Sequence, residues 1–463
     1  MPKNNITNSK TTQTNSKEKA YDWSEVMERI NSRNNGEDEF LQAVQEVGES
    51  LTDVIECDKR LQEARIFERL TVPDRIITFR VCWEDDGGNI RINQGWRVQN
   101  CGAIGPYKGG IRFHPTVNLS VLKFLAFEQT FKNALTGLPM GGGKGGSDFD
   151  PSGRSNREIM RFCQAFMDEL YRHIGPRTDV PAGDINVGSR EIGYLYGRYQ
   201  KLTNSFSGTL TGKGLSYGGS PVRVEATGYG LIYFLSNMLD AHLDKINGKT
   251  ILISGAGNVA LHAAEKAIQL NAKVLTLSDS NGILYSKSGF KPDQIDFIKE
   301  LKSRSGASLE ACTEKFGEMK FTAGKTPWQI KADIALPCAT QNELHEKDAK
   351  QLKENGAIAL AEGANMPCTA KAAKVIRKSK ILYAPGKASN AGGVALSGLE
   401  MSQNAAFEKG DFETMDEKLK QIMHRIHEDC KNHGKNSDHV DYVKGANQAA
   451  FGKLADALLA FGI

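Results

Sequence analysis

Lysine, glycine and aspartate recur together in three short segments of the first half of the chain. They are Gly105-Pro106-Tyr107-Lys108-Gly109-Gly110, Pro139-Met140-Gly141-Gly142-Gly143-Lys144-Gly145-Gly146 and Pro181-Ala182-Gly183-Asp184. Glycines on both sides of a lysine let the backbone pack closely and leave the ammonium pointing into a cleft. Taken alone, Lys144 also fits a solvated loop lysine; Lys108 and Lys132 are expected to share its cleft. Burial and the mutual repulsion of ammonium groups lower a lysine pKa and turn it into an acid/base group at neutral pH. Several lysines facing one site predict a substrate with more than one carboxylate. A nearby Asp184 supplies the second proton-transfer group. The GGGKGG run lacks the GxxxxGK[ST] spacing, so a P-loop is rejected.

A second constellation lies further on. Gly255-Ala256-Gly257-Asn258-Val259-Ala260 reads GxGxxA, directly after the apolar run Ile251-Leu252-Ile253 and at the start of a helical pattern. In that context small residues allow the tight turn and let backbone N–H groups approach a pyrophosphate at a helix N-terminus. Asp279 ends the next predicted strand, about 20 residues on. An acidic residue there binds a ribose 2′-hydroxyl and leans the reading toward NAD. Its neighbours Ser278 and Ser280 are small donors able to accommodate a 2′-phosphate.

These residues need elements to hold them. Trp23 to about Leu70 is helical, with Phe40, Val44, Val47, Leu51, Val54 and Ile55 at three- and four-residue steps. Arg75–Trp83 and Ile90–Val98 read as a hairpin. Leu119–Leu135 is a helix closed by Gly137 and Pro139, apolar almost all round and therefore expected to be buried. Its few polar members include Gln129 and Lys132, three apart on one face. Ser155-Asn156-Arg157-Glu158 is a capping box opening another helix. The character changes near Gly218-Gly219-Ser220-Pro221. Glu225–Leu243 is a helix. The run Thr250–Ser254, Val259–Leu270 and Lys273–Ser278 is a strand–helix–strand unit, which implies a parallel sheet. Asp333–Leu336 and Ile358–Ala361 are further short strands, and Asp411–Gly434 and Tyr442–Ile463 are the last helices.

The expected class is α/β: an N-terminal α/β substrate domain with a mixed sheet plus a Rossmann-like dinucleotide-binding domain. Residues 1–20 read as a flexible tail and 21–218 as a substrate-binding and oligomerisation domain. Residues 219–439 read as the dinucleotide-binding domain, and the helix at 440–463 is expected to pack back on the first domain. The composition agrees. Of 463 residues, 40% are hydrophobic and 25% charged, a globular profile that excludes disorder for the bulk of the chain. A net charge of +4 is too small and dispersed for a nucleic-acid footprint. No apolar run reaches the ~20 residues of a membrane span. The eight cysteines lack metal or redox spacing and read as reduced thiols of a cytoplasmic protein, and no metal site is expected.

The runs YKGGIRFHP (Tyr107–Pro115), KFLAFEQTFKNALTGLPMGGGKGG (Lys123–Gly146), PAGDINVGSREIGY (Pro181–Tyr194), VEATGYG (Val224–Gly230) and NAGGVALSGLEMSQN (Asn390–Asn404) resemble the hexameric glutamate dehydrogenases. The similarity covers nearly everything after Trp23. It implies reversible oxidative deamination of L-glutamate to 2-oxoglutarate and ammonia, with hydride passing between Cα and a nicotinamide, in a homohexamer. By resemblance Lys144 is the catalytic lysine and Asp184 the proton-transfer carboxylate. Lys132 and Gln129 match the groups that hold the α-carboxylate, Lys108 and Ser397 those that bind the side-chain carboxylate, and Arg223 a supporting basic residue. Thr227, Asn258, Ala339, Asn365 and Asn390 match positions that line the cofactor, beside Gly255, Gly257 and Val259 of the fingerprint. Ala256 with Ser278-Asp279-Ser280 resembles the NADP-preferring members, which overrides the NAD lean of Asp279 and makes NADP the expected cofactor, NAD being the alternative.

Three departures from the family pattern stand out: Asn100-Cys101-Gly102, Asn186 in place of a usual glycine, and Ser189. Two rivals remain. A Leu, Val or Phe dehydrogenase of the same superfamily needs an apolar side-chain pocket, against which Lys108 argues. A non-catalytic dinucleotide sensor is disfavoured by the presence of both Lys144 and Asp184.

Overall fold

The computed structural model describes residues 22–304, 306–436 and 439–462. The expected tail at 1–20 lies outside the described residues. The first sheet has five strands: β1 (Arg75–Glu84), β2 (Ile90–Cys101), β3 (Tyr107–Phe113), β4 (Gly141–Ser147) and β5 (Asp179–Gly183), in the order β1-β2-β4-β3-β5. The β1–β2 hairpin and the β2–β4 pair are antiparallel, whereas β3 pairs parallel to both β4 and β5. This is the expected mixed sheet. Glycine-rich composition hid β3 and β4, which were read only as close-packing segments. Gly142 shows why glycine is required: a Cβ there would stand 1.9 Å from Thr130 Oγ1. That close approach seats the buried helix directly on the strand carrying Lys144.

Helix α1 (Asp38–Cys57) packs against α2 (Leu119–Leu135), the predicted buried helix, which lies across β2 and β4. Phe40 and Phe127 meet edge to face at 5.9 Å. On the other side of the sheet α3 (Asn156–Leu170) opens with the expected capping box at Ser155 and Glu158. Its Phe162 and Phe166 close over Phe113 at 5.0 and 5.4 Å.

The second sheet runs β12 (Leu382–Ala384), β11 (Ala359–Ala361), β10 (Ile334–Pro337), β6 (Thr250–Ser254), β7 (Lys273–Asp279), β8 (Gly282–Tyr285) and β9 (Lys320–Ala323). The five strands from β12 to β7 are parallel, and β8 and β9 add antiparallel edges. Helices α4 (Ala226–Asp240) and α5 (Asn258–Gln269) pack on each other. Past the sheet come α6 (Gly392–Ala406), α7 (Phe412–Gly434) and α8 (Tyr442–Phe461). The chain ends with α8 packed against α7, α1 and α2. No described helix is long and apolar enough to cross a membrane.

The first sheet holds one fully buried ion pair, Arg97 on β2 with Asp179 at the start of β5. Arg97 also donates to the Gly109 carbonyl at 3.1 Å, and Gln99 donates to Asp179 at 2.9 Å. Removing one member strands a buried charge. Arg97→Met is expected to lose about 3–5 kcal/mol of stability. Chemical denaturation followed by circular dichroism checks this; a loss below about 1 kcal/mol contradicts it.

Candidate active site

Three neighbouring strands deliver the proposed acid/base pair. Lys144 sits in β4, Asp184 directly follows β5, and β3 lies between them. Lys144 Nζ stands 3.2 Å from Asp184 Oδ1, and Arg112 of β3 donates from Nε to Asp184 Oδ2 at 2.6 Å. Burial alone would raise the Asp184 carboxyl, but Lys144 and Arg112 overcome it and hold it well below the usual carboxylate range. Burial lowers Lys144, Arg112 and Arg97 push the same way, and Asp184 opposes them.

The turn after Asp184 explains one departure. Val187 N–H donates to the Asp184 carbonyl at 2.9 Å, and Asn186 has φ of 59°. Glycine suits that left-handed conformation, and asparagine tolerates it better than most residues. The Asn186 amide also donates to the Phe113 carbonyl at 3.0 Å, tying the turn to β3. Cys101 is buried and its thiol is pushed up to about 11 by burial, so it is inert packing at the end of β2. Ser189 opens the helix Ser189–Thr203.

Helix α2 presents Gln129 and Lys132 half-buried above β4. Burial, then the Lys144 ammonium, takes Lys132 down to about 8. Lys132, Lys144, Gln129, Glu128, Asn365 and Lys387 all line one cavity of about 690 Å3. Asn133, one turn beyond Gln129, accepts from the Gln129 amide at 2.7 Å. It donates to the carbonyls of Lys108 and Gly141 at 2.9 and 2.6 Å, so one buried side chain links α2, β3 and β4. Sequence reasoning missed it. The available signal was a polar residue at i+4 from Gln129 in an otherwise apolar helix.

Lys108 does not line that cavity. It is 1% exposed, and burial drives its ammonium well below the usual lysine range. Its cationic neighbours are Arg223 and Arg97, with Glu400 and Asp179 opposing. Arg223 donates to Ser397 Oγ at 2.9 Å. Glu400, one turn past Ser397 on α6, is fully buried against Lys213 at 2.8 Å, and accepts from the Gly212 N–H at 2.9 Å. The expectation of three lysines depressing one another therefore needs correction. Desolvation is the largest cause at all three, and most of the cationic neighbours are arginines. Only Lys132 and Lys144 act on each other.

The dinucleotide fingerprint occupies the expected turn between β6 and α5. Gly255 has φ of 88°. A Cβ at Gly257 would meet nothing within 4 Å, so open space lies over the start of α5. Asn258 and Val259 begin that helix, and Asn258 donates to the Val224 carbonyl at 2.6 Å. Thr227 stands in the first turn of α4, and Ala339 follows β10. Asn365 follows β11 and Asn390 follows β12, with their amides 3.2 Å apart. Among the described residues, Asn390 Oδ1 is buried without a hydrogen-bond partner, an unmet acceptor of the kind a carboxamide N–H would satisfy. These groups gather at the carboxyl ends of parallel strands, where such sheets bind ligands. A nicotinamide dinucleotide fits them. Lys132 donates to Asn365 Oδ1 at 2.9 Å, which joins the lysine cavity to the dinucleotide crevice.

Asp279 departs from the simple rule. Its Oδ2 accepts from Lys302 at 3.4 Å and from the Leu309 N–H at 2.9 Å, and Oδ1 accepts from the Asn281 N–H at 3.0 Å. The carboxylate is thus engaged within the protein, while Ser280 beside it is exposed.

A buried lysine–aspartate pair, clustered cations and a dinucleotide crevice define a nicotinamide-dependent oxidoreductase for a small anionic substrate. The family model described as Glutamate/Leucine/Phenylalanine/Valine dehydrogenase matches residues 218–462, and that of the Glu/Leu/Phe/Val dehydrogenase dimerisation domain matches residues 73–201. The chain belongs to this family. It is 55% identical over 440 residues to an NAD(P)-specific glutamate dehydrogenase of Xylanibacter ruminicola, covering 95% of this chain and 99% of that one. It is 51% identical over 446 residues to an NADP-specific glutamate dehydrogenase of Escherichia coli, covering 96% and 100%. A crystal structure of Plasmodium falciparum glutamate dehydrogenase superposes with a TM-score of 0.93 at 50% identity, covering 95% of this chain and 94% of that one.

With Lys132 titrating at about 8, the cavity loses positive charge as pH rises through that value. Affinity for a five-carbon dicarboxylate, glutarate, is expected to fall about tenfold from about pH 7 to about pH 9. Isothermal titration calorimetry reads this, and Lys132→Met should remove the inflection.

Proposed function

We propose that this chain is an NADP-linked glutamate dehydrogenase, catalysing reversible oxidative deamination of L-glutamate to 2-oxoglutarate and ammonia. One observation carries the choice of glutamate within the family: Lys108 is buried beside Arg223. Facing an aliphatic or aromatic side chain, that amine would have no acceptor, and its ammonium, already penalised by burial, would be disfavoured further. A distal carboxylate satisfies it.

In this reading Gln129 and Lys132 hold the α-carboxylate, and Lys108 with Ser397 holds the side-chain carboxylate. Arg223 supports Ser397 through its 2.9 Å hydrogen bond. Thr227, Gly255, Gly257, Asn258, Val259, Ser280, Ala339, Asn365 and Asn390 line the cofactor. A nicotinamide bound there would supply or accept the hydride at Cα. Lys144, its ammonium disfavoured by burial, takes a proton from the water as its oxygen bonds to the imine carbon, and in the reverse direction gives that proton to the departing water. Asp184 moves the proton of the substrate nitrogen.

NADP is favoured because the Asp279 carboxylate is already engaged by Lys302 and by two backbone N–H groups. The exposed Ser280 stands next to Asp279, and Lys302, held on that carboxylate by one 3.4 Å contact, is the cation a 2′-phosphate would draw on; NAD is the alternative. A homo-oligomer is expected, a hexamer by resemblance. It draws support from β1, an unpaired sheet edge, and from Ile76, Ile90 and Ile92 of the hairpin, which are 41%, 67% and 68% exposed.

Nicotinamide absorbance with glutamate, leucine, valine and phenylalanine tests the reaction. Glutamate should be turned over far faster than the others. Lys108→Leu is expected to cut kcat/KM for glutamate by about 100-fold or more and to narrow the gap to leucine. Unchanged glutamate kinetics would refute the role. In a side-by-side assay kcat/KM should be higher with NADPH than with NADH. Lys302→Glu should reverse that order, chiefly through KM for NADPH; equal losses with both cofactors would count against it.

A further inference from the structure

Arg112 has no role in the reaction as described, yet it touches the group at its centre. Its Nε takes Asp184 Oδ2 at 2.6 Å, and Lys144 takes Oδ1 at 3.2 Å. Two cations therefore share one carboxylate. The three side chains are only 13%, 4% and 15% exposed. Arg112 lies on β3, between the strand that carries Lys144 and the strand that leads to Asp184. It belongs to the same strand as Lys108.

A lysine that works as a base must spend part of its time neutral. Were Lys144 the sole counter-charge of Asp184, losing its proton would leave a buried carboxylate uncompensated. The pair would then hold its proton tightly. An arginine stays charged throughout the working pH range. Arg112 thus keeps Asp184 compensated whether or not Lys144 is charged, and it repels the Lys144 ammonium as well. Its hold on Oδ2 also fixes the carboxylate plane and leaves Oδ1 as the oxygen turned to Lys144.

We propose that Arg112 is the positioning residue of the acid/base pair, clamping Asp184 by one oxygen so that Lys144 is free to release and retake its proton. This rests on the glutamate dehydrogenase reading. The charged groups facing Lys144 are Asp184 after β5, Arg112 on β3, Arg97 on β2 and Lys132 on α2. Arg97 is itself paired with Asp179. Without Arg112, Asp184 belongs to Lys144 alone and neutral Lys144 becomes harder to reach. Deamination needs neutral Lys144, so its acid limb must move to higher pH.

The test uses full-length Arg112→Met, Arg112→Gln and Arg112→Lys, with glutamate deamination measured from about pH 6 to about pH 10. The Met and Gln variants should move the acid limb up by about one pH unit or more, and lower kcat near neutrality about tenfold. They should recover much of the rate at high pH and change KM for glutamate less than about threefold, because the carboxylate-binding groups are untouched. Arg112→Lys should restore most of the profile. A second readout needs no turnover: carbamylation of Lys144 by cyanate against pH, followed by peptide mass spectrometry, reports the ionisation of its amine. It should shift upward in the same variants. A uniform fall in kcat with an unmoved limb and an unmoved cyanate profile overturns the proposal. Wild-type protein without glutamate-dependent reduction of NADP would instead sink the functional reading, and the cyanate profile would still decide whether Arg112 governs Lys144.

Discussion

Burying cations where two α/β units meet is the constraint around which this protein is built. Desolvation penalises each ammonium, and the structure answers with fixed counter-charges rather than with water. Asp184 is shared by Lys144 and Arg112. Asp179 is held by Arg97 and braced by Gln99. Glu400 is held by Lys213 and by backbone N–H groups. Each carboxylate compensates part of the positive field without cancelling it. What remains is a crevice still short of negative charge, which is the condition for gripping a dicarboxylate.

The glycine-rich strands follow from the same constraint. Charges deep in a crevice keep their effect only if the backbone around them is tightly closed. Gly142 lets α2 rest on β4, and a Cβ at Gly143 would stand 3.3 Å from the Arg97 guanidinium. Asn133 then ties α2 to β3 and β4 through two carbonyls. Helix, strands and buried arginine therefore form one rigid support for Lys108, Lys132 and Lys144. The Lys132–Asn365 hydrogen bond carries that support across to the dinucleotide crevice.

Much of this was legible in the residues. The α2 helix, the β1–β2 hairpin and the strand–turn–helix around Gly255 have strong periodic or capping signals that depend only on near neighbours. The strands β3 and β4 lacked such a signal, because glycine has no side chain to alternate. Arg112, Asn133, Lys302 and Glu400 escaped for another reason. Their importance lies in partners such as Asp184, Gly141, Asp279 and Lys213, and no local pattern encodes those pairings. At the buried lysines burial outranks repulsion because low-dielectric surroundings act on every ammonium, whereas repulsion needs proximity, and Lys108 lies outside the cavity shared by Lys132 and Lys144.

The sequence by itself determined the long helices, the β1–β2 hairpin, the dinucleotide turn and the inventory of cations, since propensity, period and spacing are local properties of the chain. Only the tertiary structure decided which charge answers which. Parallel pairing of β3 with β4 and β5 brings Arg112 and Lys144 onto the two oxygens of Asp184, and Lys108 lies outside the cavity that Lys144 lines. Charge compensation depends on distance and burial, and both are set when remote segments pack together.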